Sequence, residues 1–500
     1  MRAKDIRDRV LRESDINVFD VFAMLYSYCA PRFGKGGLDP ELRYGRILKE
    51  AAVIGKDVLP SPRRLHNPLT PECKAILAAA IDCGGDEQEL GVRLYKFLKA
   101  IDIASSGMSA RSMNIASFSS MSQQLNVDRE LGLVYPKSAG PLTHLTRKGG
   151  KDLRTGEDKG DYLRHNIENL VCVKTSDECD LDFGVMDVSG RLGFPSEAAD
   201  CRVAFIPLID EIGKARIGFR DSGDARVKLF HFDGLSNEEE VAERAVFLMQ
   251  RAHDLGATVV VFPELCVPEA VRTAISEGLS ANLFPSVKMV VAGSFHEGSG
   301  GNWGNVAHVL GADGRELWQQ RKLQRFTLMK YEAERVPSLG GMCGGNSRED
   351  IGTVPRLLKV RDTPLGRTAI LICSDFLLRG DPHWKMVIDM GVNFVVVPAM
   401  SVGLPKDFES AAEELAIHCK AVSVVCNCCA LAREAARAKK SKKPTCMSFA
   451  YRPWHEPMWE LKCKPRAGSS GPCSSRACSE EFTVDLANWP KRARKIALED

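Results

Sequence analysis

The sequence predicts an α/β fold, with a mostly α-helical N-terminal module followed by a larger domain of alternating strands and helices. Three observations predict it. The 500 residues exceed what one ordinary hydrophobic core serves, so two or more domains are expected. Up to about residue 120, apolar residues recur mainly at helical spacing. From residue 225 onward, short runs rich in Val, Ile and Phe alternate with amphipathic helical patterns.

The elements follow in order. Val18, Phe19, Val21, Phe22, Leu25 and Tyr26 share one helical face in a segment that Pro31 is expected to end. Ile76, Leu77, Ala80 and Ile81 predict a second helix closed by Gly84, and Leu94, Phe97, Leu98 and Ile101 a third. The Ser-, Met- and Asn-rich stretch 105–124 has no clear period. Residues 146–161 are charged and glycine-rich and read as a loop or linker. Short strands are expected at 201–209 and 215–220. These readings divide the chain into a helical module at 1–145, an unassigned linker with short strands at 146–223, and an α/β domain at 224–500.

Within that last domain, ARVKLFHF (225–232) is a strand, and Ser236 with Glu239 predicts a capping box at the start of a helix that Gly256 stops. VVVFPEL (259–265) and KMVVAGSF (288–295) are strands, and 305–323 is a hairpin turned by Asp313-Gly314. TAILICSDF (368–376) and VNFVVVPAM (392–400) flank a helix around 384–390. A helix at 408–420 leads to the strand AVSVVCN (421–427), and FTVDL (482–486) is a late strand.

Composition narrows the function classes. At 44% apolar and 27% charged the chain is of globular type, and its net charge of +3 gives no support to nucleic-acid binding along its whole length. No run of about 18 apolar residues suggests a membrane span. The charged N-terminus lacks the apolar core of a signal peptide, and the 17 cysteines form no regular frame. A cytoplasmic protein with reduced thiols, free of membranes, is therefore expected.

Three polar groups stand at strand ends. Cys373 closes an apolar strand, Glu264 follows Pro263 on a turn after another, and Lys322 ends a third. Each alone has a plain structural reading: a packed core cysteine, a surface turn, a solvated sheet edge. Together they form a nucleophile, a base and a cation at positions where catalytic groups concentrate.

The ordered segments VVVFPEL, VVAGSF, GNVAHVLGADGREL, QQRKL, ILICSDF, NFVVVPA, VVCN and FTVDL resemble the nitrilase, or carbon–nitrogen hydrolase, superfamily over about 225–495. That resemblance implies an αββα sandwich that pairs into dimers or larger homo-oligomers. It implies a Cys373 nucleophile, a Glu264 general base and a Lys322 that stabilises the tetrahedral intermediate together with the backbone N–H of Ser374. It also implies a second glutamate after the lysine, for which Glu332 is preferred narrowly over Glu334. The expected substrate is a small non-peptide amide, handled through a thioester, with no cofactor and no metal.

Several features depart from the family pattern. The interval between Lys322 and Cys373 is long, and its glycine-rich part at 339–350 suggests a lid or pocket rim. Ser374 and Asp375 follow the nucleophile, which favours an amidase over a nitrile hydrolase. The Glu-Asn pair the family often carries before 421 is replaced by His418, Cys419 and Lys420. The alternative is a degenerate hydrolase-like module for oligomerisation or partner binding. In that reading the basic tract 432–444 engages nucleic acid or an acidic protein. A Cys–His protease using His383 or His418 lacks any flanking signature. The late cysteines Cys426, Cys428, Cys429, Cys463, Cys473 and Cys478 show no paired zinc-ligand spacing.

Overall fold

The computed structural model describes residues 1–33, 46–59, 67–106, 133–137, 167–186, 201–334, 346–431, 434, 445–453, 458–463 and 483–485, except 175, 210, 225, 300, 301, 353, 354, 403 and 405. The chain forms two compact units, the first built mainly from residues 1–139 and 154–177 and the second from 178–385 and 392–500. Among the described residues no helix is long and apolar enough to cross a membrane.

The first unit contains helices Ala3–Arg12, Val18–Phe33, Arg46–Asp57, Pro71–Asp82 and Glu87–Ala104, with an antiparallel pair of strands, β1 (Leu133–Pro136) and β2 (Leu170–Val173). Its core joins Ile6, Val10, Phe22, Leu25, Leu94 and Leu98. Pro31 lies inside the last turn of its helix, which runs two residues further than the sequence suggests and ends on buried Phe33. The tracts 107–132 and 138–166 lie outside the described residues.

The second unit carries, in chain order, β3 (Asp180–Val185), β4 (Arg202–Phe205), β5 (Ala215–Asp221), β6 (Val227–Leu235), β7 (Val259–Val261), β8 (Met289–Glu297), β9 (Gly304–Gly311), β10 (Glu316–Arg321), β11 (Thr327–Leu328), β12 (Asn346–Glu349), β13 (Leu357–Thr363), β14 (Gly366–Ile370), β15 (Phe394–Ala399), β16 (Val422–Asn427), β17 (Thr445–Tyr451), β18 (Met458–Cys463) and β19 (Thr483–Asp485). Two large sheets result, in the orders β10-β9-β8-β7-β4-β19 and β18-β17-β16-β15-β14-β13-β3. A third, four-stranded sheet has the order β11-β12-β6-β5. The segment left unassigned from sequence therefore supplies β3, β4 and β5, one strand to each sheet.

The centres of both large sheets are parallel: β4, β7 and β8 in one, and β14, β15 and β16 in the other. A strand buried on both faces reads as a continuous apolar run, which is what Val259–Val261 and Phe394–Ala399 show. One hydrophobic cluster contains Val203, Val259, Val261 and Val291 from the first sheet together with Ile370, Phe394, Val396 and Val424 from the second.

Two local details correct the sequence reading. The helix after β6 is Glu238–Asp254, capped at Asn237 without a side-chain bond, so the expected Ser236–Glu239 box does not open it. Glu238 instead reaches back, its Oε1 accepting from Leu235 N at 3.0 Å. The strand before Cys373 stops at Ile370, and the thiol opens a short 3-10 turn, Cys373–Phe376.

Candidate active site

Glu264 follows β7 on a tight turn. Its backbone N–H donates to Ala399 O at 3.3 Å, and Leu265 N donates to Ser294 Oγ at 3.4 Å. Gly293 backs this turn with φ of +56°, and a Cβ there would stand 2.1 Å from Pro263 O. Only glycine fits so close to the turn in that conformation.

Lys322 follows the edge strand β10, whose hairpin with β9 turns at Gly314 with φ of +76°. Its Nζ donates to Glu264 Oε1 at 2.7 Å and to Glu349 Oε2 at 2.7 Å. All three side chains are at most 3% exposed. Asn305 on β9 bridges the same two acids, its Nδ2 donating to Glu264 Oε1 at 2.9 Å and to Glu349 Oε1 at 2.8 Å. Phe326 N adds a bond to Glu349 Oε2 at 3.2 Å. His296 Nε2 stands 3.4 Å from Glu349 Oε1, while its Nδ1 accepts from Phe232 N at 3.1 Å, so the ring proton belongs on Nε2.

Cys373 takes a φ of +47°, a left-handed conformation uncommon for a side-chain-bearing residue and a form of strain that gathers at functional sites. The first bond of its turn is Asp375 N to Ile372 O at 3.0 Å. The N–H groups of Cys373 and Ser374 precede that bond and have no partner within the turn. Ser374 Oγ is buried and has no hydrogen-bond partner among the described residues. Asp375 points away from the nucleophile to hold the lysine loop, its Oδ2 accepting from Leu323 N and its Oδ1 from Gln324 N, each at 2.9 Å.

Cys373, Glu264, Lys322 and Glu349 line one pocket with Ile217, Phe219, Phe230, Phe232, Phe326 and Met400. Its volume is about 80 Å³. At roughly 10–15 Å³ per water, that is room for about five to eight such groups. Glu264, Lys322 and Glu349 are the only charged side chains among the described residues lining it, and no histidine lines it.

Burial pushes the Cys373 thiol well above its ordinary value, and the Glu264 charge adds to that, against the pull of Lys322 and the Met400 N–H. Burial works against the Lys322 ammonium too, but the facing carboxylates of Glu264 and Glu349 outweigh it and raise its pKa well above the ordinary value. Glu349 is held down at about 2, because Lys322 and His296 overcome its desolvation. Desolvation lifts Asp375 to about 7 despite Lys322 and the two N–H donors.

The structure thus brings Glu264, Lys322, Cys373 and the Ser374 backbone together. The acid it places against Lys322 is Glu349, from the charged end of the stretch read as a lid or rim. The Glu332 side chain lies outside the described residues, and Glu334 is exposed at the end of a short helical turn. His383 is buried, its Nε2 bonded to Asp375 O at 2.8 Å. Among the described residues no cluster of three or more His, Cys, Asp or Glu is arranged to hold a metal. Most of the basic tract 432–444, and Cys473 and Cys478, lie outside the described residues.

A thiol at the opening of a tight turn and a buried acid–lysine–acid array, on an α/β frame, define the class of site. No family model and no curated protein matches the chain. Among solved structures, it resembles amidases of the nitrilase superfamily. A variant of the amidase from Nesterenkonia sp. AN1, with the acetamide moiety of fluoroacetamide added covalently at its active-site cysteine, is 14% identical over 55% of this chain and 90% of that one, with a TM-score of 0.37. An amidase from Nesterenkonia sp. is 16% identical over 54% and 89%, with a TM-score of 0.35. A further variant of the Nesterenkonia AN1 amidase, described as from the nitrilase superfamily, is 15% identical over 54% and 89%, with a TM-score of 0.35.

Proposed function

We propose that the second unit is a cysteine-dependent carbon–nitrogen hydrolase acting on a small amide with a compact apolar acyl group. The observation that carries this reading is the convergence of Cys373 with the buried Glu264–Lys322–Glu349 array in one pocket. A raised thiol pKa suits a nucleophile that is neutral at rest and loses its proton only as it attacks. Glu264 takes that proton, and the sulfur adds to the amide carbon. Lys322 and the Ser374 N–H receive the developing oxyanion. Glu264 returns the proton to the departing amine, leaving a thioester at Cys373. A water deprotonated by Glu264 then attacks the thioester, and the acid leaves as the thiol reforms. The sum is amide plus water to acid plus amine.

Glu349 and Asn305 act through their neighbours: they fix the lysine head and the orientation of Glu264. The apolar wall and small volume select the acyl group, since a charged one finds no partner there apart from the reacting groups. In the same reading the two large sheets form the inner layers of an αββα sandwich.

Ammonia release from short aliphatic and aryl carboxamides tests the proposal. The wild-type chain releases ammonia, and Cys373→Ala, which keeps the fold, does not. Turnover that survives Cys373→Ala rules the mechanism out. If no carboxamide or nitrile is turned over or attached to Cys373, the degenerate-module reading takes its place.

A further inference from the structure

A second cavity lies beside the first and carries a different chemistry. Its volume is about 710 Å³, and Arg321, Arg325, Arg348, Arg356 and Lys359 line it along with apolar and neutral residues. Lys322 touches it too, although its ammonium is committed to Glu264 and Glu349. No carboxylate is among the described residues lining it. None of the five outer cations is ion-paired with a carboxylate among the described residues; the polar partners of Arg321 and Arg325 are backbone carbonyls, Ile351 O at 2.8 Å and Gly352 O at 2.9 Å respectively. The adjoining stretches 335–345 and 353–354 contain no Asp or Glu in sequence.

Alternation along β12 separates the two cavities. Ser347 and Glu349 are buried and Asn346 and Arg348 exposed, with Glu349 lining the thiol pocket and Arg348 the basic one. Five cations with no carboxylate partner among the described residues share one concavity and repel each other, which an apolar or neutral ligand does not relieve. A single phosphate brings about −1.5 to −2 charges, so two or three phosphate groups match this set. The volume falls within the roughly 300–1,000 Å³ of small-molecule sites, and the charges surround a hollow rather than forming the stripe that tracks a nucleic-acid backbone.

We propose that this cavity binds a small polyphosphate-bearing molecule, with Arg348 and Arg356 as its principal anion contacts and Arg321 and Arg325 as anchored flanks.

Calorimetric titration of the full chain with inorganic tripolyphosphate tests this, with orthophosphate and ATP as parallel ligands. Tripolyphosphate is expected to bind one-to-one, at least about tenfold more tightly than orthophosphate, and to weaken steeply with salt. The Arg348→Gln/Arg356→Gln double variant loses about tenfold or more in affinity, while its ligand-free melting temperature is unchanged or raised. If the double variant does not fold, Lys359→Gln with the same titration replaces it. ATP binding more tightly than tripolyphosphate adds a nucleoside subsite, and equal binding assigns recognition to the phosphates; both support the proposal. No binding at millimolar tripolyphosphate, or equal binding by the variant, overturns it. A single-stranded oligonucleotide that binds more tightly than tripolyphosphate and is lost with the same arginines overturns it in favour of a nucleic-acid surface.

Discussion

At the scale of single residues, the site rests on how Lys322 is held. Two carboxylates and one ammonium, all buried, leave one net negative charge that Asn305, His296 and Phe326 N help to settle. Removing one partner of a buried ion pair costs about 3–5 kcal/mol when the other is left unpaired. In Glu349→Gln, Lys322 keeps Glu264, so a loss toward the low end, about 3 kcal/mol, is expected at neutral pH by chemical denaturation. The pH dependence identifies the cause. The Glu349 pKa is lowered on folding, so its contribution is fully present above its ordinary value of 4.5 and is lost as pH falls toward about 2. The gap between wild type and Glu349→Gln should therefore shrink over that window. A gap that stays constant with pH contradicts the assignment of the charge.

At the scale of elements, each functional group is delivered by a strand end and a special turn. Gly293 on β8 and the Pro263–Glu264 turn are locked by close approach. Gly293→Ala adds a Cβ against Pro263 O in a left-handed backbone, which costs roughly 1–3 kcal/mol and displaces Glu264. The expected result is a lower melting temperature and a reduced kcat. Full activity in a folded Gly293→Ala protein contradicts the role of that turn. The strands leading to Glu264 and Cys373 are legible in the sequence because parallel central strands read as unbroken apolar runs, while the edge strand before Lys322 is legible from the Asp313-Gly314 hairpin that precedes it. Glu349 was not legible. In Asn346, Ser347, Arg348, Glu349 and Asp350 there is no apolar alternation, and a glycine-rich stretch precedes it. Its burial comes from parallel pairing with β6, Asn346 opposite Val227 and Glu349 opposite Phe230, a contact between segments far apart in the chain. In the sequence Asn305 reads as the start of a hairpin strand, since nothing local marks its amide as a bridge between two acids.

At the scale of the whole molecule, two units with separate cores share one chain, and the α/β unit takes in the chain from Glu178 on, well before the regular strand–helix pattern at residue 225. The strands contributed by the intervening stretch are short, and their partners are distant in sequence, as with β3 beside β13 and β4 beside β7. Local pattern alone gives such strands no home. We propose that the chain self-associates, and light scattering of the full chain should then give twice the 55.0 kDa chain mass or a higher multiple. A concentration-independent monomer contradicts that expectation.

In the proposed mechanism Cys373 forms a covalent acyl intermediate served by Glu264 and Lys322. Intact-mass analysis after rapid acid quenching, with short carboxamides as substrates and peptide mapping of the adduct, tests it most directly. The expected result is a mass gain equal to the amide less ammonia, located on the peptide containing Cys373 and abolished by Cys373→Ala and Lys322→Ala. An adduct on a different cysteine, or amide turnover with no adduct on Cys373 under any quench time, contradicts it.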